Sequence, residues 1–189
     1  MAIICLIWIV FYYRTGIKTK QMDTTQYTKS QSWSLIFLRV FIGWHFLYEG
    51  IIKLYNPSWT AKGYLYSSQG PFKDVFSWLA GDSAIVVVDM LNILVLTTVG
   101  LLLILGLYTR LSSIGGIGLL LLYYLSHPAF PGLPQGPTEG SYWLINKNLI
   151  EMIALFVLYH FPTSHIFGLH YIFNKRGEVS STTSEPLQS

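Results

Sequence analysis

Four stretches of this sequence, residues 34–54, 84–107, 111–125 and 142–161, are too continuously apolar to be elements of an ordinary soluble domain. A helix needs roughly 17–25 residues to span the hydrocarbon core of a bilayer. Lipid offers backbone N–H and C=O groups no partners, so an apolar run of that length folds as a helix. The third run falls short until Tyr108 and Ser126 extend its two ends. Composition agrees, because only 11% of residues are charged and 52% are hydrophobic, against about 25% charged in soluble domains. The expected fold class is all-α: a four-helix bundle integral to the lipid bilayer, multi-pass in the cytoplasmic (inner) cell membrane. A net charge of +3 is too small to suggest a nucleic-acid partner.

The connections are read the same way. The run at residues 3–13 is too short to span. Its basic neighbours Arg14, Lys18 and Lys20 follow it rather than precede it, unlike those of a secretory signal. It reads as an interfacial anchor or, preferred, as an extended start ahead of Met22. The single cysteine, Cys5, makes no internal disulfide and no CxxC, so any redox chemistry would run through a bound small molecule. The loop at 55–83 carries Trp59, Tyr64, Tyr66, Phe72, Phe76 and Trp78, and is expected in the membrane interface or folded over the bundle mouth. The tight connection at Tyr108, Thr109 and Arg110 makes antiparallel neighbours of the helices it joins. Residues 127–141 hold Pro128, Pro131, Pro134 and Pro137, the mark of an irregular loop. Domain organisation follows: a leader over 1–33, a membrane domain over 34–161, and over 162–189 a cytoplasmic amphipathic piece (164–173) with a disordered tail from Glu178. Arg14, Lys18, Lys20, Lys29, Arg110, Lys175 and Arg176 all fall on one side of the spans, with Lys62 and Lys73 on the other. The positive-inside rule therefore puts both termini in the cytoplasm.

Ionisable residues inside the spans are the informative exception. At about 100° per residue, Arg39, His45, Glu49 and Lys53 fall within about a third of one helix's circumference, bordered by Gly43 and Gly50. Asp89 and Asn92 share a face of the second span, Asn146, Lys147, Asn148 and Glu151 begin the fourth, and His127 leaves the third. All but Arg39 lie toward the outer half. An ionisable residue at the bilayer centre costs about 2.5–3.5 kcal/mol on the insertion scale, so these groups are expected to meet and pair. Simpler roles exist for several of them. Lys53 and Lys147 could snorkel, Arg39 could anchor at the cytoplasmic interface, His45 could be a hydrogen-bonded core histidine, and Asp89 with Asn92 could be interhelical glue. Glu49 and Glu151 gain nothing from snorkelling. His45 and His127 lack the compact His/Cys spacing of a metal centre, so no metal is expected.

The stretch Leu38-Arg39-Val40-Phe41-Ile42-Gly43-Trp44-His45-Phe46-Leu47-Tyr48-Glu49-Gly50, with Lys53-Leu54, resembles the opening helix of the DoxX/DoxD family. Trp143-Leu144-Ile145-Asn146-Lys147-Asn148-Leu149-Ile150-Glu151 resembles the matching helix of its DoxD branch, which includes the large membrane subunit of thiosulfate:quinone oxidoreductase. The resemblance implies a four-helix membrane subunit of a quinone-linked oxidoreductase. Its substrate would be a small anion such as thiosulfate, its acceptor quinone, and a second subunit its partner. For that chemistry Lys53 and Lys147 are candidate charge partners of the anion, with Asn92, Asn146 and Asn148 as donors and Asp89 and His127 beside them. Glu49, Glu151 and His45 are candidates to relay protons. Two other classes compete. A non-catalytic membrane anchor or assembly partner for a soluble enzyme would work through Arg110, residues 164–173, Lys175 and Arg176. A small-solute transporter would require a homo-oligomer, because four helices without an inverted repeat do not suffice.

Overall fold

The computed structural model describes residues 27–132, 141–164 and 167–168. The expectations for the run at 3–13, the start at Met22, residues 133–140, most of the 164–173 piece and the tail lie outside them. The chain divides into two units, Met1–Gln31 and Ser32–Ser189. The elements are α1 (Lys29–Tyr55), α2 (Lys62–Tyr66), α3 (Lys73–Leu79), α4 (Ile85–Leu105), α5 (Thr109–Ser126), β1 (Ser141–Tyr142), β2 (Ile145–Asn146) and α6 (Lys147–His160). The start of α1 is encoded locally. Gln31 N donates to Thr28 Oγ1 at 3.3 Å and Thr28 N to Gln31 Oε1 at 3.0 Å, a reciprocal box that satisfies two otherwise orphaned donors.

Among the described residues two helices, α1 and α4, are long and apolar enough to cross a membrane. The sequence reading began the last span at residue 142, but the helix starts at Lys147 and has 14 residues. Asn146 is the reason: its Oδ1 accepts from Leu149 N at 3.0 Å, the cap for which Asn is favoured. The residues before it pair as a hairpin, Ser141 with Asn146 and Tyr142 with Ile145. At 1.5 Å per residue α6 is about 21 Å long, less than the roughly 30 Å hydrocarbon core.

Ile42 and Phe46 of α1, Leu96, Val99 and Leu103 of α4, Leu120 of α5, and Leu155 and Leu158 of α6 form one buried cluster. Phe41, Trp44, Val86, Met90, Ile153 and Phe156 point outward and are exposed, which suits a helical protein solvated by lipid. The α1–α4 contact is backbone on backbone. A Cβ at Gly100 would stand 2.5 Å from Leu47 N and 2.7 Å from Gly43 O, and one at Gly50 would stand 2.5 Å from Thr97 Oγ1. Small residues permit this approach.

The turn after α4 fixes the opposite end. Gly106 takes a left-handed conformation, with φ of 68°. Its N–H reaches Leu103 O and that of Leu107 reaches Leu102 O, the Schellman arrangement. Arg39 lies against this turn, 1% exposed, donating from Nη1 to Thr163 Oγ1 and from Nη2 to Phe167 O, both at 2.9 Å. Among the described residues no carboxylate pairs with it. The guanidinium instead sits by the C-terminal end of α4 and bonds the chain just beyond α6, where the carbonyl ends of helices favour a cation.

Gly100→Ala is expected to lower stability by about 1–3 kcal/mol, the usual cost of overpacking. Gly63→Ala, whose added Cβ meets nothing within 4 Å, is expected to leave stability unchanged or slightly raised. Thermal unfolding in detergent measures both, and equal behaviour of the two variants would contradict the close crossing.

Candidate functional site

The polar face of α1 turns inward as its spacing requires, but depth divides it. Arg39 is fourteen residues from Lys53, about 21 Å along the axis, and belongs to the latch just described. His45, Glu49 and Lys53 line a cavity of about 380 Å³ at the other end, within the range of small-molecule sites. Asn92 of α4 and Lys147, Asn148 and Glu151 of α6 complete its polar wall, and Phe46, Leu96 and Leu120 its apolar one.

Two acid–base pairs organise the polar wall. His45 Nδ1 stands 2.8 Å from Glu151 Oε1, joining α1 to α6. Lys53 Nζ stands 3.2 Å from Glu49 Oε2 one helical turn away. The Lys53 ammonium also lies 5.3 Å from the ring centre of Trp59 and 6.0 Å from that of Tyr123, contacts worth about 0.5–2 kcal/mol each as the site is desolvated. Glu49 and Lys53 thereby hold one another where either alone would be an uncompensated charge. On the far wall Asn92 Nδ2 donates to Tyr123 OH at 2.7 Å.

The cavity is roofed by the loop that the sequence placed in the interface or over the bundle mouth. Trp59, Thr60, Ala61 and Tyr64 line it from above. The loop builds its own small core from Ala61, Leu65, Phe76 and Ala80 against Ile85. Asp89, an expected substrate-binding residue, tethers the roof: its Oδ1 accepts from Ala61 N at 2.8 Å. His127 is also a tether. Its Nε2 lies 3.1 Å from Ser67 Oγ and its ring 4.2 Å from that of Tyr64. Ser68 Oγ and Gln69 N both donate to Ser126 O. Outside the spans, Lys62 Nζ meets Asp82 Oδ1 at 2.6 Å. That hydrogen-bonded contact and its charges hold the Asp82 carboxyl below its ordinary value and the Lys62 ammonium above its own. Asn146, another expected binder, is occupied as the cap of α6.

Seven of the expected residues therefore share the cavity: His45, Glu49, Lys53, Asn92, Lys147, Asn148 and Glu151. Asp89, His127 and Asn146 do not line it and are occupied in shaping its surroundings, and Arg39 lies at the opposite end. Sequence reasoning missed Tyr123 altogether and treated Trp59 and Tyr64 only as loop aromatics. One signal was present, since Tyr123 lies three residues after Leu120 on one face of α5 and four before His127, which caps that helix.

A helical protein with apolar outward faces and a roofed, paired-charge cavity is a membrane protein by design. The chain belongs to the DoxX family, which it matches over residues 34–128, half of its 189 residues. That match runs from α1 through α5 and stops short of α6. Comparison with curated proteins and with solved structures gave no match in either.

Asp89→Ala is expected to leave the Ala61 amide without its acceptor and loosen the roof, whereas Asp89→Asn keeps an acceptor oxygen. An unmade buried hydrogen bond costs about 1–3 kcal/mol, so hydrogen exchange over residues 59–66 should quicken about tenfold or more in the alanine variant and little in the asparagine one. Identical exchange in both would remove Asp89 as the tether.

Proposed function

We propose that this chain is the membrane subunit of a quinone-linked oxidoreductase. In this reading α1, α4, α5 and α6 cross the bilayer with both termini in the cytoplasm, and the cavity lies toward the outer face. The carrying observation is the convergence of two acid–base pairs, His45–Glu151 and Lys53–Glu49, on one cavity of about 380 Å³. Ionisable groups held inside a membrane are costly and mark substrate and proton pathways. Membership of the DoxX family, often associated with oxidoreductase-type functions, supports the same class. The distribution of charge supports the orientation, since Lys29 and Arg110 lie at the Arg39 end and only Lys62 and Lys73 lie in the roof segment.

The residues present suit a quinone head group. Trp59, Tyr64 and Tyr123 offer flat faces, Leu96 and Leu120 apolar contact, and the opposite wall groups that donate and accept hydrogen bonds. When bound, quinone supplies a two-electron, two-proton acceptor. The chain's own residues do the rest. Lys53 and Lys147 attract a small anionic substrate such as a sulfur oxyanion, and Asn92 and Asn148 orient polar atoms beside it. Glu151 holds His45 through Nδ1, which leaves Nε2 as the imidazole atom that exchanges a proton. The roof segment covers one side of the cavity and reduces its contact with bulk water, which strengthens these interactions.

Quinone-dependent oxidation of thiosulfate by the purified protein, assayed with any co-purifying soluble subunit, tests the reading. Glu151→Gln is expected to cut turnover by about 10²–10⁴ while the protein still inserts and folds. Unchanged turnover in that variant would exclude a role for the His45–Glu151 pair. Absence of turnover in the intact complex would favour the assembly-partner class.

A further inference from the structure

We propose that the outward face of α1 is where two copies of this chain pair within the membrane. Six aromatic side chains form one stripe along it, Trp33, Phe37, Phe41, Trp44, Tyr48 and Tyr55, and each is at least half exposed. Spacing keeps them on that face. Trp33, Trp44 and Tyr55 are eleven residues apart, as are Phe37 and Tyr48, and such a repeat drifts by only about 20° each time. The rings already lie against one another, Trp33 with Phe37 at 5.7 Å, Phe37 with Phe41 at 6.2 Å and Trp44 with Tyr48 at 6.3 Å between centroids.

Two features set this stripe apart from an ordinary lipid-facing surface. The exposed large apolar residues of α4 and α5, Met90, Leu94 and Leu121 among them, include no aromatic one. Tryptophan and tyrosine collect at the two membrane–water interfaces, yet Trp44 lies near the middle of α1, fifteen residues from Lys29 and eleven from Tyr55. Its indole N–H has no acceptor among the described residues, and hydrocarbon supplies none.

A second copy supplies one. Two chains inserted the same way are related by a twofold axis along the membrane normal, so their stripes run parallel and the contact is isologous. The hydroxyl of Tyr48, one helical turn along the stripe, is then the acceptor that each copy offers the other's Trp44. The six rings offer about 700 Å² on each copy and about 1,400 Å² across a pair, above the roughly 1,000 Å² of a specific interface. In lipid, packing and hydrogen bonds decide association rather than area alone. Offset ring contacts suit that demand, and rings ordered beforehand lose little freedom on pairing.

Disulfide trapping in native membranes tests this on the full-length chain, with Cys5→Ser removing the single native cysteine. Phe37→Cys and Phe41→Cys are expected to oxidise to covalent dimers, and Met90→Cys and Leu94→Cys to stay monomeric. Photobleaching steps of labelled protein in lipid vesicles then count the copies. Two are expected for the wild type, and Trp44→Leu with Tyr48→Leu is expected to weaken pairing at least tenfold. Monomers or larger assemblies in the wild type overturn the proposal. So do trapping at positions 90 and 94 in place of 37 and 41, and pairing unchanged in the leucine variant.

Discussion

Everything in this structure follows from one constraint: a charged or hydrogen-bonding group carried into an apolar helix assembly must find a partner there. The described residues meet it in two ways at two ends. At one end Arg39 is enclosed by neutral oxygens and the carbonyl ends of helices. At the other, His45 faces Glu151 and Lys53 faces Glu49 as two acid–base pairs. The first solution fills its space. The second leaves a cavity, and the difference between a structural latch and a candidate site is that volume.

The backbone contact between α1 and α4 makes the second solution available. Gly43, Gly50 and Gly100 bring the two helices so close that their side chains must diverge on either side of the seam. That divergence turns the ionisable face of α1 toward α6, and the cap at Asn146 starts α6 where Lys147, Asn148 and Glu151 meet it. A helix begun at residue 142, as hydropathy alone suggests, would have had to absorb the polar pair at 146 and 148 within its span. The hairpin leaves Asn146 outside the helix as its cap and brings Leu144 O under the hydroxyl of Tyr124 at 2.9 Å.

The sequence was most legible where a physical penalty was large. Carboxylates at 49 and 151 have no inexpensive place in lipid, and both line the cavity. The helical face of α1 could be computed from spacing, and the positions of the basic loops set Arg39 apart at the inner end, about 21 Å along the axis from Lys53. Asp89, His127 and Asn146 were read as binders because their chemistry suits binding. In the fold that chemistry is spent on a backbone amide, a serine hydroxyl and a helix cap, partners that only the tertiary path of the 55–83 loop and the hairpin bring near. Tyr123 escaped notice because a tyrosine in an apolar run looks like any other interfacial aromatic until Asn92 is found 2.7 Å from its hydroxyl.

The central claim is that the roofed cavity, and not the lipid-facing surface, receives the quinone. Photolabelling in native membranes with an azido-substituted benzoquinone, followed by peptide mapping, tests it most directly. The account predicts label on Trp59, Tyr64, Tyr123 or Leu96, displaced by excess tetramethylbenzoquinone. Label confined to outward residues such as Met90, Leu94 or Phe156, and unaffected by competitor, would contradict it.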